Sequence, residues 1–388
     1  MRLRPGLAVL WRGPDEVQVG TDPRWAVRLT GLHAAQVHAL TSLPDGAPLP
    51  DLDALVPGDA DAAADGTAAG TAAGTAAGTA AGTAVPVDGL PRGHVGPVRA
   101  ALTDARLLVP APVRRAAPAT APLPSGTAAD AAAWSLVLDD GDGDSLVRSR
   151  ADRVVGFLGA GRLALTAACV LACAGVGTVL LDDDAPVTTA DLGVGGFTAR
   201  DVGSSRAAAA ARVLRDLAPQ VRTSGPTSVR PDVVVSVEHA VADAARARTM
   251  MSAELVHLSV VVREADALVG PLVRPGASPC LRCLDLHRTA ADPAWPVLAA
   301  QLAADPRRRS APEESTVAAV AGALAAGQVL AQLDGRTPST VGASLELTLP
   351  DVVPRVRRWA THPECGCAGL PGPLARDPAD RHTGSRRR

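Results

Sequence analysis

Hydrophobic and polar residues between positions 154 and 184 follow the pattern of a strand, a helix and a second strand. An apolar run at 154–158 leads into a tight glycine turn at 159–161, and an apolar helix is predicted at 165–174. A second apolar strand at 178–181 ends in the acidic run Asp182-Asp183-Asp184. This order predicts a βαβ unit with parallel strands.

Further elements of the same type follow along the chain. A buried strand is predicted at 232–237, two more strands at 255–261 and 267–273, and an alanine-rich helix at 315–333 that ends at Asp334-Gly335. Strands that alternate with helices are typical of a layered α/β domain. The sequence therefore predicts a doubly wound, mostly parallel α/β sheet.

The glycine turn also favours one kind of ligand. Glycines between a strand and a helix allow a phosphate to approach the backbone, and the helix N-terminus offers free N–H groups. Asp182 lies 23 positions after Gly159, close to the spacing of about 20 for an acid that accepts a ribose hydroxyl. The pattern favours a nucleotide-type fold over a βαβ unit that binds nothing.

The N-terminal part predicts a smaller α+β module over 1–110. Three short strands are predicted at 7–11, 17–20 and 25–29, with helices at 32–43 and 95–108. This set fits a winged-helix-like module, which can take an extended peptide against an exposed strand edge. A plain packing or dimerisation domain explains the same pattern.

Several segments lack the residues that a core needs. A repeat of Gly-Thr-Ala-Ala predicts a disordered insertion at 59–88. An Ala/Pro-rich linker is expected at 111–130 and separates the module from a nucleotide-type domain at 131–350. A zinc-binding tail is expected at 351–370, and a basic, disordered tail at 371–388.

Composition narrows the choice of partners and compartment. The net charge of −2 argues against a chain-wide nucleic-acid surface, and all 38 basic residues are arginine, so no lysine chemistry is available. The absence of Lys, Asn, Ile and Tyr indicates a GC-rich, bacterial genome. The N-terminus does not resemble a signal peptide, and no uninterrupted apolar run reaches about 18 residues. We expect a cytoplasmic protein with no membrane span.

Four of the six cysteines form two closely spaced pairs. Cys280 and Cys283 form a C-x-x-C, and Cys365 and Cys367 form a C-x-C. Two such pairs are typical ligands of a structural, tetrahedral Zn²⁺. Two alternatives remain: His362 in place of one cysteine, or a redox C-x-x-C, whose context is unfavourable because no helix N-terminus is predicted directly after a strand.

The other two cysteines, Cys169 and Cys173, lie four residues apart on the helix after the glycine turn, among alanine and valine. We interpret them as packing residues. With all six cysteines assigned in this way, none remains as a nucleophile.

Together these motifs resemble the ubiquitin-activating-type superfamily, which contains the ThiF, MoeB and HesA proteins. The resemblance covers the glycine turn, the acidic strand end, the C-x-x-C and the alanine-rich helix, over about residues 154–367. It implies a Rossmann-like ThiF fold that binds ATP with Mg²⁺ and adenylates the C-terminal carboxylate of a peptide or small protein. It also implies that Gly159 and Gly161 line the phosphates, that Asp182 holds the ribose and that Asp184 lies near the metal.

The cysteine motifs look most like the branch linked to ribosomal peptide modification of the azoline or bacteriocin type. In that branch a winged-helix-like module recognises a leader peptide. The ThiF-like domain is often a non-catalytic platform beside a cyclodehydratase. Relatives with this fold often form homodimers through the sheet domain.

The sequence departs from the family pattern at four positions. Arg162 replaces a glycine of the turn, and Val194 stands where the family has an arginine that touches ATP phosphates. Arg206 replaces a lysine and keeps its charge without its compact ammonium group. Glu238 is the replacement for the aspartate that usually ends the next strand. Loss of one phosphate-binding arginine costs roughly 10²- to 10³-fold in rate by analogy with an oxyanion donor.

These features leave three hypotheses. The first is an adenylyltransferase-family protein whose own adenylation is weak or lost, with Arg162, Arg206 and Glu238 as catalytic residues. The second is a non-catalytic platform that binds a leader peptide for a partner enzyme. The third and least supported is an NAD-dependent oxidoreductase, which explains Asp182 but not the four cysteines.

Overall fold

The structure is a computed structural model that describes residues 1–23, 25–55, 92–94, 98–110, 123–124, 126–194, 196–226, 229–305 and 313–367. The chain divides into two compact units, Met1–Pro122 with Ala129–Ser145, and Leu123–Ala128 with Leu146–Arg388. The predicted insertion at 59–88, most of the linker and the tail at 371–388 lie outside the described residues.

The first unit is built on a four-stranded sheet. Its strands and helices, in chain order, are β1 (Arg2–Leu3), β2 (Val9–Gly13), β3 (Glu16–Val19), β4 (Val27–Thr30), α1 (Ala34–Thr41), β5 (Arg92–His94), α2 (Val98–Asp104), β6 (Leu108–Val109) and most of α3 (Ala128–Val137). Strands β2, β3 and β4 are antiparallel neighbours, and β5 joins β4 in parallel. The three strands that the alternating pattern predicted are therefore present.

One edge of this sheet is formed by β2. Within the described residues β2 pairs only with β3, and it carries two apolar side chains, Leu10 and Trp11, that are 42% and 64% exposed. The inner strands β3 and β4 contribute buried residues such as Val17 and Leu29 to the core of the unit. The unit thus presents an apolar outer strand over a closed core.

The second unit is an α/β domain with one seven-stranded sheet. Its elements are the second half of α4 (Gly143–Ser149), β7 (Val154–Leu158), α5 (Arg162–Cys173), β8 (Thr178–Asp182), α6 (Arg206–Leu217), β9 (Val233–His239), α7 (Ala244–Ser252), β10 (His257–Val262), β11 (Asp266–Val273), α8 (Leu281–Ala291), α9 (Trp295–Ala304), α10 (Ser315–Leu333), β12 (Ala343–Thr348) and β13 (Arg355–Arg358). The strand order is β13-β12-β11-β10-β9-β7-β8.

Strands β8, β7, β9 and β10 are parallel neighbours and form the predicted nucleotide-type half of the sheet. They are near-continuous apolar runs because helices cover both faces of a parallel sheet. Strands β11, β12 and β13 extend this sheet in antiparallel order. The carboxyl ends of β7, β8 and β9 therefore meet at one edge, where ligands bind in folds of this class.

Helix α10 packs against α5 and the sheet, and it needs a glycine to do so. A Cβ at Gly322 would lie 2.8 Å from the Leu163 carbonyl oxygen and 2.8 Å from Thr166 Cβ. By length and composition α10 could also cross a membrane, contrary to the expectation from the sequence, but half of its apolar window is buried inside the protein. We interpret it as a core helix.

This packing predicts opposite effects for two glycines of the same helix. The G322A variant should lower the free energy of unfolding by about 1–3 kcal/mol, because the new methyl group forces α10 away from α5. The G327A variant should raise it by about 0.5–1 kcal/mol, because a Cβ at Gly327 meets no atom within 4 Å and alanine is the better helix former. Urea unfolding of both variants measures the difference, and equal effects would contradict the packing.

Candidate functional site

A cavity of about 460 Å³ lies at the carboxyl ends of β7, β8 and β9. It is lined by both glycines of the turn, by charged groups and by a few apolar side chains: Gly159, Ala160, Gly161, Asp182, Asp183, Ala185, Arg206, Val237, Glu238, His239, Val241, Asp243, Arg246, Leu302 and Ala303. Five of the predicted site residues thus share one cavity. Arg162 and Asp184 are not among its lining residues.

The two glycines are required by different contacts. Gly159 has a φ of +94°, and a Cβ there would lie 2.8 Å from the carbonyl oxygen of Val237 on the neighbouring strand. At Gly161 a Cβ would lie 2.4 Å from Oε1 of Glu313. The turn is therefore packed closely against β9 on one side and against a carboxylate on the other.

Among the three consecutive acids at the end of β8, Asp183 is the one that holds the glycine turn. Its Oδ2 accepts a hydrogen bond from the backbone N–H of Ala160 at 2.8 Å, and its Oδ1 accepts one from Ala185 at 3.0 Å. Asp182 is exposed and lines the cavity, and Asp184 is exposed outside the lining. Asp182 is thus available to a ligand, whereas Asp183 has a structural role that sequence reasoning missed.

Arg206, at the first turn of α6, is engaged by two carboxylates. Its Nη2 lies 2.7 Å from Asp191 Oδ1, and its Nη1 lies 3.4 Å from Asp183 Oδ2. Burial acts to lower the pKa of Arg206, but the hydrogen bond and charge of Asp191 and the charge of Asp183 outweigh it and raise the pKa. The guanidinium is therefore fixed and charge-balanced within the protein.

Glu238 lies next to the last residue of β9 and pairs with an arginine of the next helix, α7. Arg246 Nη1 donates to Glu238 Oε1 at 2.9 Å, and the Glu238 side chain is 7% exposed. Burial raises the pKa of Glu238 above its usual value, and the charge of Arg246 opposes that shift. Arg246, which sequence reasoning missed, lines the cavity with a partly exposed side chain and is a second cation beside Arg206.

Arg162, the residue that departs from the family turn, points toward α10. Its Nη1 donates to the Glu313 carbonyl oxygen and its Nη2 to Ser315 Oγ, both at 2.6 Å. The guanidinium also fills the space beside Gly193, where a Cβ would lie 2.4 Å from Nη2. Arg162 therefore contacts the loop that contains Val194, although it does not line the cavity.

Glu313 and His239 form a pair that the sequence did not reveal. Glu313 Oε2 accepts a hydrogen bond from the Leu163 N–H at 2.6 Å, and Glu313 Oε1 lies 3.2 Å from His239 Nε2. The Glu313 side chain is only 6% exposed. Glu313 lies 150 positions from Leu163, and no local pattern links two residues at that distance.

The four paired cysteines converge at one point. Their Sγ atoms all lie within 4.8 Å of one another, and the Cys280–Cys365, Cys283–Cys367 and Cys280–Cys283 separations are 3.5, 3.4 and 4.0 Å. Tetrahedral zinc with Zn–S bonds of about 2.3 Å requires S–S distances of about 3.8 Å. The donor set and its spacing therefore fit a closed, four-thiolate metal site.

The surroundings of these cysteines also fit a bound cation. Burial and the neighbouring thiols raise the pKa of Cys367 to about 11, so an isolated thiolate is unfavourable there unless a metal supplies the opposite charge. His362 is not part of the cluster within the described residues. It lies beside His287, with a ring-centroid distance of 4.8 Å.

Cys280 is the N-cap of α8, so a helix begins at the C-x-x-C, but residues 274–279 separate it from the end of β11. The second pair of cysteines, in contact with the first, argues further against a redox pair. Cys169, on α5, packs against the core, and burial raises the pKa of its thiol to about 12, which disfavours a nucleophilic thiolate.

The parallel half of the sheet, the glycine turn and the cavity at the strand ends define a Rossmann-like α/β protein. The chain belongs to the ThiF family, whose family model matches residues 135–367, more than half of the sequence. No curated protein matches the chain.

Solved structures with the same fold cover two thirds of the chain or more. E. coli MccB with ATP is 14% identical with a TM-score of 0.59, over 95% of this chain and 100% of MccB. The microcin C7 biosynthetic enzyme MccB with N-formylated MccA is 14% identical with a TM-score of 0.58, over 95% and 99% of the two chains. PaaA is 15% identical with a TM-score of 0.52, over 67% and 90%. At these identities the similarity establishes the fold.

Proposed function

We propose that the protein binds ATP with Mg²⁺ and adenylates the carboxylate of a peptide, with slow catalysis of its own. The single observation that carries this proposal is the cavity at the ends of β7, β8 and β9, because it gathers Gly159, Gly161 and Asp182 at the edge where α/β sheets bind nucleotides. Membership of the ThiF family supports the same reaction class.

In this proposal each predicted site residue has one role. Gly159 and Gly161 would line the phosphates and Asp182 would accept a ribose hydroxyl, while Asp184, outside the cavity lining, would be a ligand for Mg²⁺. A peptide carboxylate oxygen attacks the α-phosphorus, the bond to the β-phosphate oxygen breaks, and pyrophosphate leaves with the electron pair. Of the three predicted catalytic residues, Arg206 is a cation that lines the cavity and can stabilise charge during this step, Glu238 lines it as an acid, and Arg162 lies outside the lining.

The substrate is proposed to be a peptide. E. coli MccB, which shares the fold over almost its whole length, is known in a structure with MccA. The exposed apolar strand β2 supports this proposal, since an open sheet edge can pair with an extended chain. We further propose a cytoplasmic protein that acts as a homodimer, with a structural Zn²⁺ held by Cys280, Cys283, Cys365 and Cys367.

One observation favours a second candidate function. Arg206 is already neutralised by Asp183 and Asp191, and the lining of the cavity carries more carboxylates than guanidinium groups. A cavity of that balance attracts a triphosphate weakly. The alternative is therefore a platform that binds a leader peptide and presents it to a separate modifying enzyme, such as a cyclodehydratase, without adenylation.

Exchange of labelled pyrophosphate into ATP separates these two candidates. The zinc-loaded protein is incubated with ATP, Mg²⁺, labelled pyrophosphate and a panel of peptides with free C-terminal carboxylates. Peptide-dependent exchange supports the adenylating protein. ATP binding without exchange, together with peptide binding, supports the platform instead.

A further inference from the structure

Three backbone N–H groups of the glycine turn and the start of α5 donate hydrogen bonds to groups of the protein itself. Gly159 donates to the Asp182 carbonyl oxygen at 3.1 Å, Ala160 donates to the Asp183 carboxylate at 2.8 Å, and Leu163 donates to the Glu313 carboxylate at 2.6 Å. In a nucleotide site such donors are the ones that meet phosphate oxygens. Two protein carboxylates therefore hold donors that a ligand anion would otherwise meet. Asp183 lines the cavity, whereas Glu313 is not among the lining residues and lies directly behind Gly161, which does line the cavity.

The two carboxylates come from different parts of the chain. Asp183 follows directly on β8, belongs to the turn's own βαβ unit and also accepts from Ala185. Glu313 lies just before α10. Its carboxylate reaches the N-terminus of α5 through the space that a Cβ at position 161 would fill. A side chain at position 161 would force this carboxylate to move.

Glu313 is also held by a residue of the cavity wall. His239, which lines the cavity at the end of β9, lies 3.2 Å from Glu313 Oε1. The Glu313 carboxylate thus connects the start of α5 with the end of β9, the two elements between which a phosphate would lie. A bound phosphate and this carboxylate cannot share the Leu163 N–H, and their charges repel.

We propose that Glu313 sets the nucleotide affinity of this protein: its carboxylate competes with the phosphates for the N-terminus of α5. This inference rests on the proposed function, because it assigns a control element to the same site. It gives the chain a reason to bind nucleotide weakly that is separate from the loss of the family arginine at Val194.

The proposal predicts that removal of the Glu313 charge strengthens anion binding. The E313Q variant keeps the shape and removes the charge, and E313S removes both. Since a charged hydrogen bond contributes a factor of roughly 10 to 100 to an equilibrium, both variants should bind inorganic pyrophosphate and MgATP about 10- to 100-fold more tightly than the wild-type protein, with E313S at the upper end.

Glu314 offers a matched control in the next position. Its carboxylate accepts from the N–H groups of Thr316 and Val317 at the start of α10 and does not contact the glycine turn. E314Q should therefore leave both affinities unchanged. Calorimetry with pyrophosphate and with MgATP is run on all four proteins, and circular dichroism confirms that each is folded.

The two ligands separate this proposal from the proposed function. Tighter pyrophosphate binding by E313Q and E313S, with no ATP binding in any variant, supports the competition and counts against a nucleotide function. Pyrophosphate affinity that stays the same or falls in both variants would overturn the competition, whatever happens with ATP. Equal gains in E314Q would overturn it as well, because that residue lies outside the turn.

Discussion

The C283S variant is expected to contain less than about 0.1 zinc per chain, whereas the wild-type protein contains about one. Cys365 and Cys367 of the C-terminal segment contact Cys280 and Cys283 at the start of α8, so loss of a metal bound by all four would release that contact. A ligand present at a thousand times its Kd stabilises the folded state by about 4 kcal/mol. For a domain of this size that corresponds to a fall in Tm of about 10 °C.

A cysteine outside the cluster serves as the control. Cys173 lies on α5 and is not among the four residues of the candidate metal site, so C173S should keep its zinc. Zinc content is measured by atomic emission after gel filtration, and Tm is measured by calorimetry. A C283S protein with full zinc and unchanged Tm would show that the cysteines do not form a metal site.

The R150A variant is expected to lower the free energy of unfolding by about 3–5 kcal/mol. Arg150 Nε and Nη2 each donate to the Asp334 carboxylate, at 2.9 and 2.8 Å, and its Nη1 donates to the Ala174 carbonyl oxygen. The two side chains are 1% and 0% exposed. Truncation of the arginine leaves a buried carboxylate that has lost its main partner, which is the reason for the large effect.

A second, exposed ion pair tests whether burial causes the large loss of stability expected for R150A. Arg153 and Asp232 are 3.5 Å apart, with side chains 39% and 36% exposed, so R153A should cost no more than about 1 kcal/mol. The double variant R150M/D334L removes both buried charges and should recover most of the loss. Chemical denaturation measures all three. Similar losses in R150A and R153A would contradict the account.

Local pattern sufficed for the elements whose residues lie close together in sequence. The segment from Val154 to Asp182 contains a strand, a turn, a helix and a second strand. Apolar runs predict the two strands, the glycines predict the turn, and apolar residues predict the helix. Five of the seven residues predicted for the nucleotide site line the same cavity because parallel strands end at a common edge.

What the sequence could not supply are contacts between distant segments. Strands β12 and β13 were not predicted, since Arg355–Arg358 is a polar edge strand with four exposed residues that resembles a loop. The hydrogen bond from Leu163 to Glu313 depends on how α10 packs on α5, as does the position of Arg162. Spacing alone also cannot show which of three consecutive acids faces the turn, so the sequence did not identify Asp183.

The cavity lies at the strand ends where α/β folds bind nucleotides, but its lining has more carboxylates than guanidinium groups. Gly159, Gly161 and Asp182 line the site, but carboxylates neutralise Arg206, and Glu313 accepts a hydrogen bond at the N-terminus of α5. A protein of this type should bind ATP, with lower affinity than a site whose cations are free.

Calorimetric titration of the zinc-loaded protein with MgATP tests the central claim most directly. We expect one ATP per chain, a Kd that weakens about tenfold or more in D182N because a charged hydrogen bond to the ribose is lost, and no binding of NAD. Absence of MgATP binding at millimolar concentration in the wild-type protein and in E313Q would contradict the claim. The protein would then be a peptide-binding platform built on a ThiF fold.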